Sequence, residues 1–251
     1  MIALLACSHP EPHGIVSLHD TTTEIVVGLG KTDELVAVME PEFLSPAALE
    51  AVRDLPRLSA PVSPESLAAL NARVVVGTED VPEHQPELTA WPGAVWIDPV
   101  GLDGLWSSIR TVGQAVGASP DAYVAGLQAK VPEPVAGDLP VFFYDCCEPP
   151  FTMGARAPLT ELLPRLGARN VFDGLDQDWG RVSWEAALVA KPRLVVVNDY
   201  SGEGEAAEKV AVARARFPDA ATVVLPLAVA LEGPRTLEAI EVLKPAIEGA
   251  R

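Results

Sequence analysis

Cysteine and histidine are the residue types in this chain best suited to covalent chemistry. Cys146 and Cys147 are adjacent, and Cys7 is the third cysteine. A cysteine nucleophile needs a base, and His19, which follows a predicted strand, is a well-placed histidine. The pattern allows a thiol enzyme, but cysteine more often fills a small, partly buried position in a turn. Adjacent cysteines seldom form a disulfide, because the bridge strains the peptide between them, so we expect no disulfide framework.

A metal site is the second possibility for the same residues. His19, Asp20, Cys147 and Glu148 could face one another if two lobes closed around them. The sequence has no Cys-x-x-Cys motif. It also lacks the P-loop, Gly-x-Gly-x-x-Gly, His-Glu-x-x-His and Gly-x-Ser-x-Gly motifs. No pattern identifies an enzyme, and we predict that the protein is not one.

Aromatic side chains are few, so their positions are informative. Five of them are expected at or just after strand ends or in loops: Phe43, Trp96, Phe151, Trp179 and Tyr200. Aromatic faces and edges at such places suit a large, partly apolar ligand. The alternative is that they pack loops onto helices, which fits Trp96 equally well because it lies within an apolar strand.

Repeated strand–loop–helix segments must position these residues. Apolar runs predict strands at 15–18, 35–38, 74–76 and 95–97, and again at 141–144, 194–197 and 222–225. This order is typical of parallel sheets with crossover helices. The candidate residues would then gather near the carboxyl ends of strands, where α/β proteins bind ligands.

The middle of the chain has a different pattern. Residues 102–116 show helical periodicity, Gly117 interrupts it, and Ser119-Pro120 is expected to cap further helix to about Val131. A linker is expected at 132–138. We therefore predict an α/β protein with two Rossmann-like lobes, each with a parallel sheet, bridged by a long rigid helix. The expected boundaries are 1–98 for the N-terminal lobe, 99–138 for the bridging helix and linker, and 139–251 for the C-terminal lobe.

Composition and charge limit the classes of protein. The chain has 251 residues and a formal net charge of −17, which argues against nucleic acid as a partner. With 49% hydrophobic and 21% charged residues, a packed soluble protein is expected. Residues 1–7 are too short for a signal peptide, but Leu-Leu-Ala-Cys resembles the end of a bacterial lipoprotein signal. A cytosolic start and a start inside such a signal both stay open.

Four ordered segments in the second half of the chain carry a family resemblance. They are Pro149-Pro150-Phe151-Thr152-x-Gly154, Gly167-x-x-Asn170-Val171-Phe172, Trp179-x-x-Val182-Ser183-x-Glu185 and Lys191-Pro192. The chain resembles the substrate-binding proteins of ABC importers for cobalamin, haem and ferric siderophores, of the helical-backbone, class III type, and most of all the cobalamin receptors. The similarity extends from Ile15 over nearly all of the remaining chain. It implies two lobes with the ligand bound between them.

The resemblance also implies roles for particular residues. Phe151 and Trp179 match aromatic residues that contact the corrin ligand. Glu65 and Glu185, one in each lobe, match glutamates that dock onto arginines of the membrane permease. Because both are expected in the first turns of helices, they could instead be surface carboxylates favoured by the helix dipole. The complete set of expected ligand-binding residues is His19, Asp20, Glu42, Phe43, Asp145, Cys147, Phe151, Trp179 and Tyr200.

Several positions depart from the cobalamin receptors and bear on the ligand. The usual Ser-Pro of the first loop is His19-Asp20, and family aromatics are replaced by Ser59, Thr78 and Asp145. We therefore expect a more polar and more acidic cleft. A corrinoid stays the first expectation, with haem, a ferric siderophore or another metal chelate as alternatives. His19 could be an axial ligand of cobalt or iron, since neutral imidazole suits both.

The expected biological setting follows from the same resemblance. The partners would be a small-molecule ligand and an ABC permease with its ATPase in the membrane. We expect a monomer without an intrinsic cofactor, located outside the cytoplasm, either periplasmic or lipid-anchored at the membrane surface. Two alternatives stay open, which are a cytosolic corrinoid or metal carrier and an enzyme on the same scaffold that uses Cys146, Cys147 and His19.

Overall fold

The first part of the chain forms a parallel sheet with helices on its crossovers. The structure, a computed structural model, describes residues 13–200 and 205–251, so Cys7 and the lipoprotein-like start lie outside the described residues. The strands are β1 (Gly14–Ser17), β2 (Leu35–Met39), β3 (Arg57–Leu58), β4 (Ala72–Thr78) and β5 (Ala94–Ile97), in the spatial order β3-β2-β1-β4-β5. The helices are α1 (Asp20–Gly28), α2 (Pro46–Ala51), α3 (Pro64–Ala69) and α4 (Asp80–His84). All strand pairs in this sheet are parallel, as predicted.

Two helices occupy the middle of the chain. Helix α5 (Gly101–Val116) ends where Gly117 adopts the left-handed conformation with φ 68°, and α6 (Asp121–Gln128) follows. The predicted interruption at Gly117 is therefore confirmed. The predicted cap at Ser119 is wrong, because Pro120 is the N-cap residue and no side chain caps α6. Helix α5 buries Leu105, Ile109 and other apolar residues in a core that also contains strand residues of both sheets.

The last part of the chain forms a second parallel sheet and a small antiparallel one. The larger sheet has β6 (Leu139–Tyr144), β8 (Ala168–Asn170), β10 (Leu194–Asp199) and β11 (Ala221–Pro226), in the order β11-β10-β6-β8. The smaller sheet pairs β7 (Phe151–Met153) with β9 (Trp179–Arg181). The helices are α7 (Pro158–Leu162), α8 (Trp184–Val189), α9 (Glu205–Arg216), α10 (Leu227–Ala230) and α11 (Ala239–Gly249).

The described part of the chain thus has the predicted α/β architecture, with one parallel sheet on each side of α5 in the sequence. The division at 98/99 and 138/139 stays a prediction. The main core cluster draws on both sheets and on α5, so the two sides of the molecule share apolar packing. Among residues 13–200 and 205–251, no helix is long and apolar enough to cross a membrane.

Candidate ligand-binding cleft

A cavity of about 450 Å³ opens between the carboxyl ends of strands of the first parallel sheet and loops of the second half of the chain. Its lining from the first sheet follows β1, β4 and β5, and comprises His19, Thr78, Glu79, Asp80, Glu83, Ile97, Asp98 and Pro99. The second side contributes Arg156, Asp178, Leu231 and Glu232. A groove of about 530 Å³ among α1, α6 and the start of α11 is larger. We take the first cavity as the candidate site because parallel α/β sheets bind ligands at strand carboxyl ends.

The lining of this cleft is strongly acidic. It contains the carboxylates of Glu79, Asp80, Glu83, Asp98, Asp178 and Glu232, against the single guanidinium of Arg156. Arg156 lies between two of them, with Nη2 at 3.6 Å from Asp98 Oδ2 and Nε at 3.4 Å from Asp178 Oδ1. Because Asp98 follows β5 and Asp178 precedes β9, Arg156 connects the two sides of the cleft. Of the positions that depart from the family's aromatic residues, Thr78 lines this cavity, and the expectation of a more acidic ligand cleft stays a prediction.

His19 lines the cleft from the start of α1. Its Nδ1 accepts a hydrogen bond from the Thr21 backbone N–H at 3.1 Å, so His19 is the N-cap of this helix. In the neutral ring an accepting Nδ1 leaves the proton on Nε2, which is then a hydrogen-bond donor. Metal coordination through Nε2 would need the proton on Nδ1 and would compete with this cap. The axial-ligand role of His19 stays a prediction.

Trp179 and Glu232 form a hydrogen-bonded pair at the edge of the cleft. Trp179 Nε1 donates to Glu232 Oε1 at 2.8 Å. From the other side, the Thr21 hydroxyl donates to the backbone oxygen of Glu232 at 2.8 Å. Burial raises the pKa of Glu232 to about 7, against hydrogen bonds from its own backbone N–H and from Trp179, and the charges of Asp178 and Asp98 act in the same direction as burial.

Phe151 and Trp179 stack on each other on the small antiparallel sheet. Their ring centroids are 5.9 Å apart and the ring planes differ by 16°. Gly154 holds the loop before Trp179, because its backbone N–H donates to the backbone oxygen of Asp178 at 2.8 Å. A Cβ at Gly154 would lie 2.2 Å from the Gln177 oxygen, so this close approach requires glycine. The structure thus brings both predicted aromatics together, whereas Trp96 packs beside Gly77 in a core cluster.

A buried polar cluster involves Asp145 and Tyr200. Asp145 follows β6 and accepts hydrogen bonds from Asn198 Nδ2 at 2.8 Å and from the Tyr200 hydroxyl. Lys209 Nζ donates to the Asp145 backbone oxygen at 2.9 Å and lies 4.3 Å from the Tyr200 ring centroid. These contacts satisfy Asp145 within the protein. The ligand-binding roles of Asp145 and Tyr200 stay predictions.

Cys146 and Cys147 form a disulfide bond, so the expectation of no disulfide is wrong. Cys147 has φ 78° within a tight turn. Backbone hydrogen bonds close this turn, from Asp145 N to Phe151 O at 3.0 Å and from Phe151 N to Cys146 O at 2.9 Å. The left-handed residue reverses the chain and lets the adjacent sulfurs meet. In this oxidised form neither cysteine offers the thiol that a nucleophile or metal ligand needs. The expected contact of Cys147 with a ligand stays a prediction.

The remaining predicted residues of the first lobe lie in a loop network. Asp20 Oδ2 accepts hydrogen bonds from the backbone N–H groups of Glu42 at 3.0 Å and Phe43 at 2.6 Å. Arg235 Nη1 donates to the Phe43 oxygen at 2.6 Å, which connects this loop to the segment after α10. Asp20 and Phe43 border a small crevice and not the cleft described above. Their ligand-binding roles, and that of the exposed Glu42, stay predictions.

The cleft therefore differs in composition from the predicted set. Of the predicted ligand-binding residues, His19 lines the cavity, and Trp179 contacts Glu232, which lines it. The acidic residues after β4 and β5 follow predicted strands directly, so the strand pattern could have indicated them. Arg156, Asp178 and Glu232 come from irregular loops that only the tertiary fold brings to the cleft.

Glu65 and Glu185 occupy equivalent positions at two exposed helix starts. Each lies in the first turn, after a serine N-cap that accepts a backbone hydrogen bond, Ser63 in α3 and Ser183 in α8. Hydrogen bonds from its own backbone N–H and from Ser183 lower the pKa of Glu185. Both carboxylates face solvent and are open to a partner. Their docking role stays a prediction.

Comparisons with known proteins agree with this architecture. No protein-family model matches the sequence, and no curated protein matches it significantly. The structure is similar to that of a periplasmic binding protein from Veillonella parvula, with a TM-score of 0.80, 22% identity, and coverage of 95% of this chain and 92% of that one. For the periplasmic haem-binding protein of Vibrio cholerae the TM-score is 0.76, with 18% identity and coverage of 93% and 98%. For the periplasmic vitamin B12-binding protein of Vibrio cholerae it is 0.70, with 21% identity and coverage of 96% and 99%. The chain thus has the two-lobed fold of the class III periplasmic binding proteins.

Proposed function

We propose that this chain is the substrate-binding protein of an ABC importer and carries a corrinoid to a membrane permease. The observation that supports this proposal most is the cavity of about 450 Å³, lined by residues at the carboxyl ends of strands of the first parallel sheet and by loop residues of the second half of the chain. Solved proteins with the same fold bind haem or vitamin B12. The proposal places the protein outside the cytoplasm, where such a carrier meets its ligand, and assigns it no catalytic step.

The charge of the cleft supports a corrinoid over haem. Haem carries two propionate groups, which the carboxylates of the cleft would repel. The one guanidinium that could pair with a propionate, Arg156, already lies between Asp98 and Asp178. Corrinoids carry neutral amide groups around the ring, and several bear a net positive charge on the metal. The acidic lining attracts a ligand of this charge, whereas it repels the propionates of haem.

Aromatic and hydrogen-bonding groups at the cleft edge support the same ligand class. Trp179, which stacks on Phe151, donates a hydrogen bond to Glu232 of the cavity lining, and aromatic side chains at such a place suit a macrocycle. The Nε2–H of His19 can donate to an amide oxygen of a corrinoid side chain. Glu65 and Glu185, matched in position and exposed, are the proposed contacts with the permease.

Spectral and calorimetric titration tests this proposal. The purified protein is titrated with aquacyanocobinamide, cyanocobalamin, haemin and a ferric hydroxamate, each at the same pH and salt concentration. We expect the corrinoids to bind with micromolar or lower Kd and haemin to bind at least tenfold more weakly. Trp179→Ala is expected to weaken corrinoid binding, whereas Trp91→Ala, which alters a tryptophan away from the cleft, serves as the matched control. Tighter binding of haemin than of either corrinoid would overturn the corrinoid assignment.

A further inference from the structure

Glu232 differs from the other carboxylates of the cleft in how it is held. Its carboxyl accepts from Trp179 Nε1 at 2.8 Å, and its backbone oxygen accepts from the Thr21 hydroxyl at 2.8 Å. These two bonds fix the residue between the small antiparallel sheet and the first turn of α1. Glu79, Asp80, Glu83 and Asp98 are exposed to solvent in the cleft, whereas the side chain of Glu232 is half-buried.

The charged groups facing Glu232 are mostly of its own sign. Asp98 comes from the end of β5, Asp178 from the loop before β9, and further carboxylates follow β4. The one guanidinium nearby, Arg156, forms its ion pairs with Asp98 and Asp178. Among the described residues, no cation lies within ion-pair distance of the Glu232 carboxyl, and His19 is the other basic group that lines the cavity.

Such surroundings make the protonated carboxyl stable in the empty cleft. Burial removes water from the carboxylate, and Asp178 and Asp98 add repulsion, so the pKa of Glu232 rises to about 7. A positive charge placed in the cavity reverses the balance, because an opposite charge within a few ångströms favours the carboxylate. The Trp179 hydrogen bond favours the ionised form as well and is already in place.

We propose that Glu232 is a specificity-determining residue of the cleft, which releases its proton when a ligand brings a positive charge and thereby selects cationic over neutral ligands. The O–H bond of the carboxyl breaks, the electron pair stays on the carboxylate, and the proton passes to solvent. The inference rests on the proposed function, because it takes the cleft as the ligand site. It adds the charge class of the ligand and the linkage of binding to protons.

Two consequences can be measured. Affinity for a cationic ligand falls as the pH drops below the pKa, by about tenfold between pH 8 and pH 6 for a single group that titrates near 7. Near pH 7, capture of the cation releases about half a proton per ligand, because about half of the empty protein is protonated at Glu232. A neutral ligand of the same chemical class shows neither effect.

Calorimetry in buffers of different ionisation enthalpy counts the released protons. The cationic probe is aquacyanocobinamide and the neutral probe is cyanocobalamin, each titrated from pH 6 to pH 8. The wild type is expected to show proton release and the pH-dependent affinity with the cation only. Glu232→Gln keeps an acceptor for Trp179 and is expected to lose both effects. Glu248→Gln, which changes an exposed glutamate of α11, is expected to behave as the wild type.

A ligand-free readout separates this inference from the proposed function. Trp179 donates to Glu232, so its fluorescence is expected to change with a midpoint near pH 7 in the wild type and not in Glu232→Gln. Binding of both probes with the same pH dependence in wild type and Glu232→Gln would overturn the inference and leave the proposed function standing. Failure of both probes to bind, with a normal fluorescence transition, would overturn both the corrinoid carrier and the selection that rests on it.

Discussion

At the scale of single residues, Glu232 links the stability of the protein to pH. Glu232 has a pKa of about 7 in the folded protein, above the value of 4.5 for a free glutamate. Its contribution to stability is therefore fully present below about pH 4.5 and is lost as the pH rises through 7. Above that pH the folded protein holds a carboxylate in surroundings that oppose its charge.

The variant Glu232→Gln is expected to be more stable than the wild type at pH 8 but not at pH 4.5. The difference between the folded and unfolded pKa values of Glu232 corresponds to a change of up to about 3 kcal/mol in the free energy of unfolding. Solvent that reaches the half-buried side chain lowers this figure. Urea unfolding at both pH values measures the difference. A stability change of equal size at pH 4.5 and pH 8 would show that Glu232 acts by packing and not by its charge.

The disulfide bond between Cys146 and Cys147 could not be predicted from the residue types alone. Disulfide bonds between adjacent cysteines are rare, because the bridge strains the peptide between them. Here the turn from Asp145 to Phe151 places Cys147 in a left-handed conformation that permits the bond. The turn depends on backbone hydrogen bonds that the local sequence pattern does not predict. The same turn sets Phe151 in register on β7, so the disulfide lies next to the aromatic pair of the cleft.

At the scale of elements, strands with long apolar runs are the predictable part of this fold. Each of β1, β2, β4, β5, β6, β10 and β11 overlaps a predicted strand. β3, with two residues, and the polar, glycine-containing β9 are too short for a periodic signal. Consequently, cleft residues that follow long strands, such as Asp98, can be predicted from the sequence. Arg156 and Asp178 depend on the antiparallel pairing of β7 with β9, which the sequence pattern does not predict.

The start of α5 is capped from another element, which yields a prediction for the bridging helix. Val100 provides no side-chain cap, and Glu161 Oε2 of α7 accepts from the Leu102 N–H at 2.9 Å. Glu161→Ala is therefore expected to destabilise the protein by about 1 kcal/mol, the usual value of a lost helix cap. Glu161→Gln keeps an acceptor and should lose less. Urea denaturation measures both, with the exposed linker residue Glu133→Ala as the control; equal effects of Glu161→Ala and Glu133→Ala would contradict the capping role.

At the scale of the whole molecule, the two sides of the cleft are joined by more than α5. The Thr21 hydroxyl contacts the Glu232 backbone, Arg235 contacts the Phe43 backbone, and Arg156 lies beside Asp98. A shared apolar core adds to these polar contacts. A large hinge motion between the two sides would have to break these contacts. A permease of the proposed kind would therefore contact surfaces whose spacing changes little on ligand binding.

Glu65 and Glu185 are the proposed contacts with the permease, and their position outside the cavity allows this role to be tested apart from ligand binding. Each carboxylate is exposed at a helix start, and neither lines the cavity. Glu65→Ala and Glu185→Ala are therefore expected to leave corrinoid affinity within twofold of the wild type, and the double variant to reduce uptake by proteoliposomes containing the importer at least tenfold. Each lost ion pair at an interface typically costs 1 kcal/mol or more, about five- to tenfold in affinity.

The control for this prediction is Glu248→Ala, because the protein carries a net charge of −17 and any lost carboxylate slightly changes its general electrostatics. If Glu248→Ala reduces uptake as much as the paired variants do, the permease senses overall charge and the two glutamates have no docking role. If the paired variants alone lose uptake, raising the salt concentration should weaken wild-type uptake in the same way, because screening acts on exposed ion pairs. Unchanged uptake by the double variant would remove Glu65 and Glu185 from the interface and leave ligand binding in the cleft as the sole assigned activity.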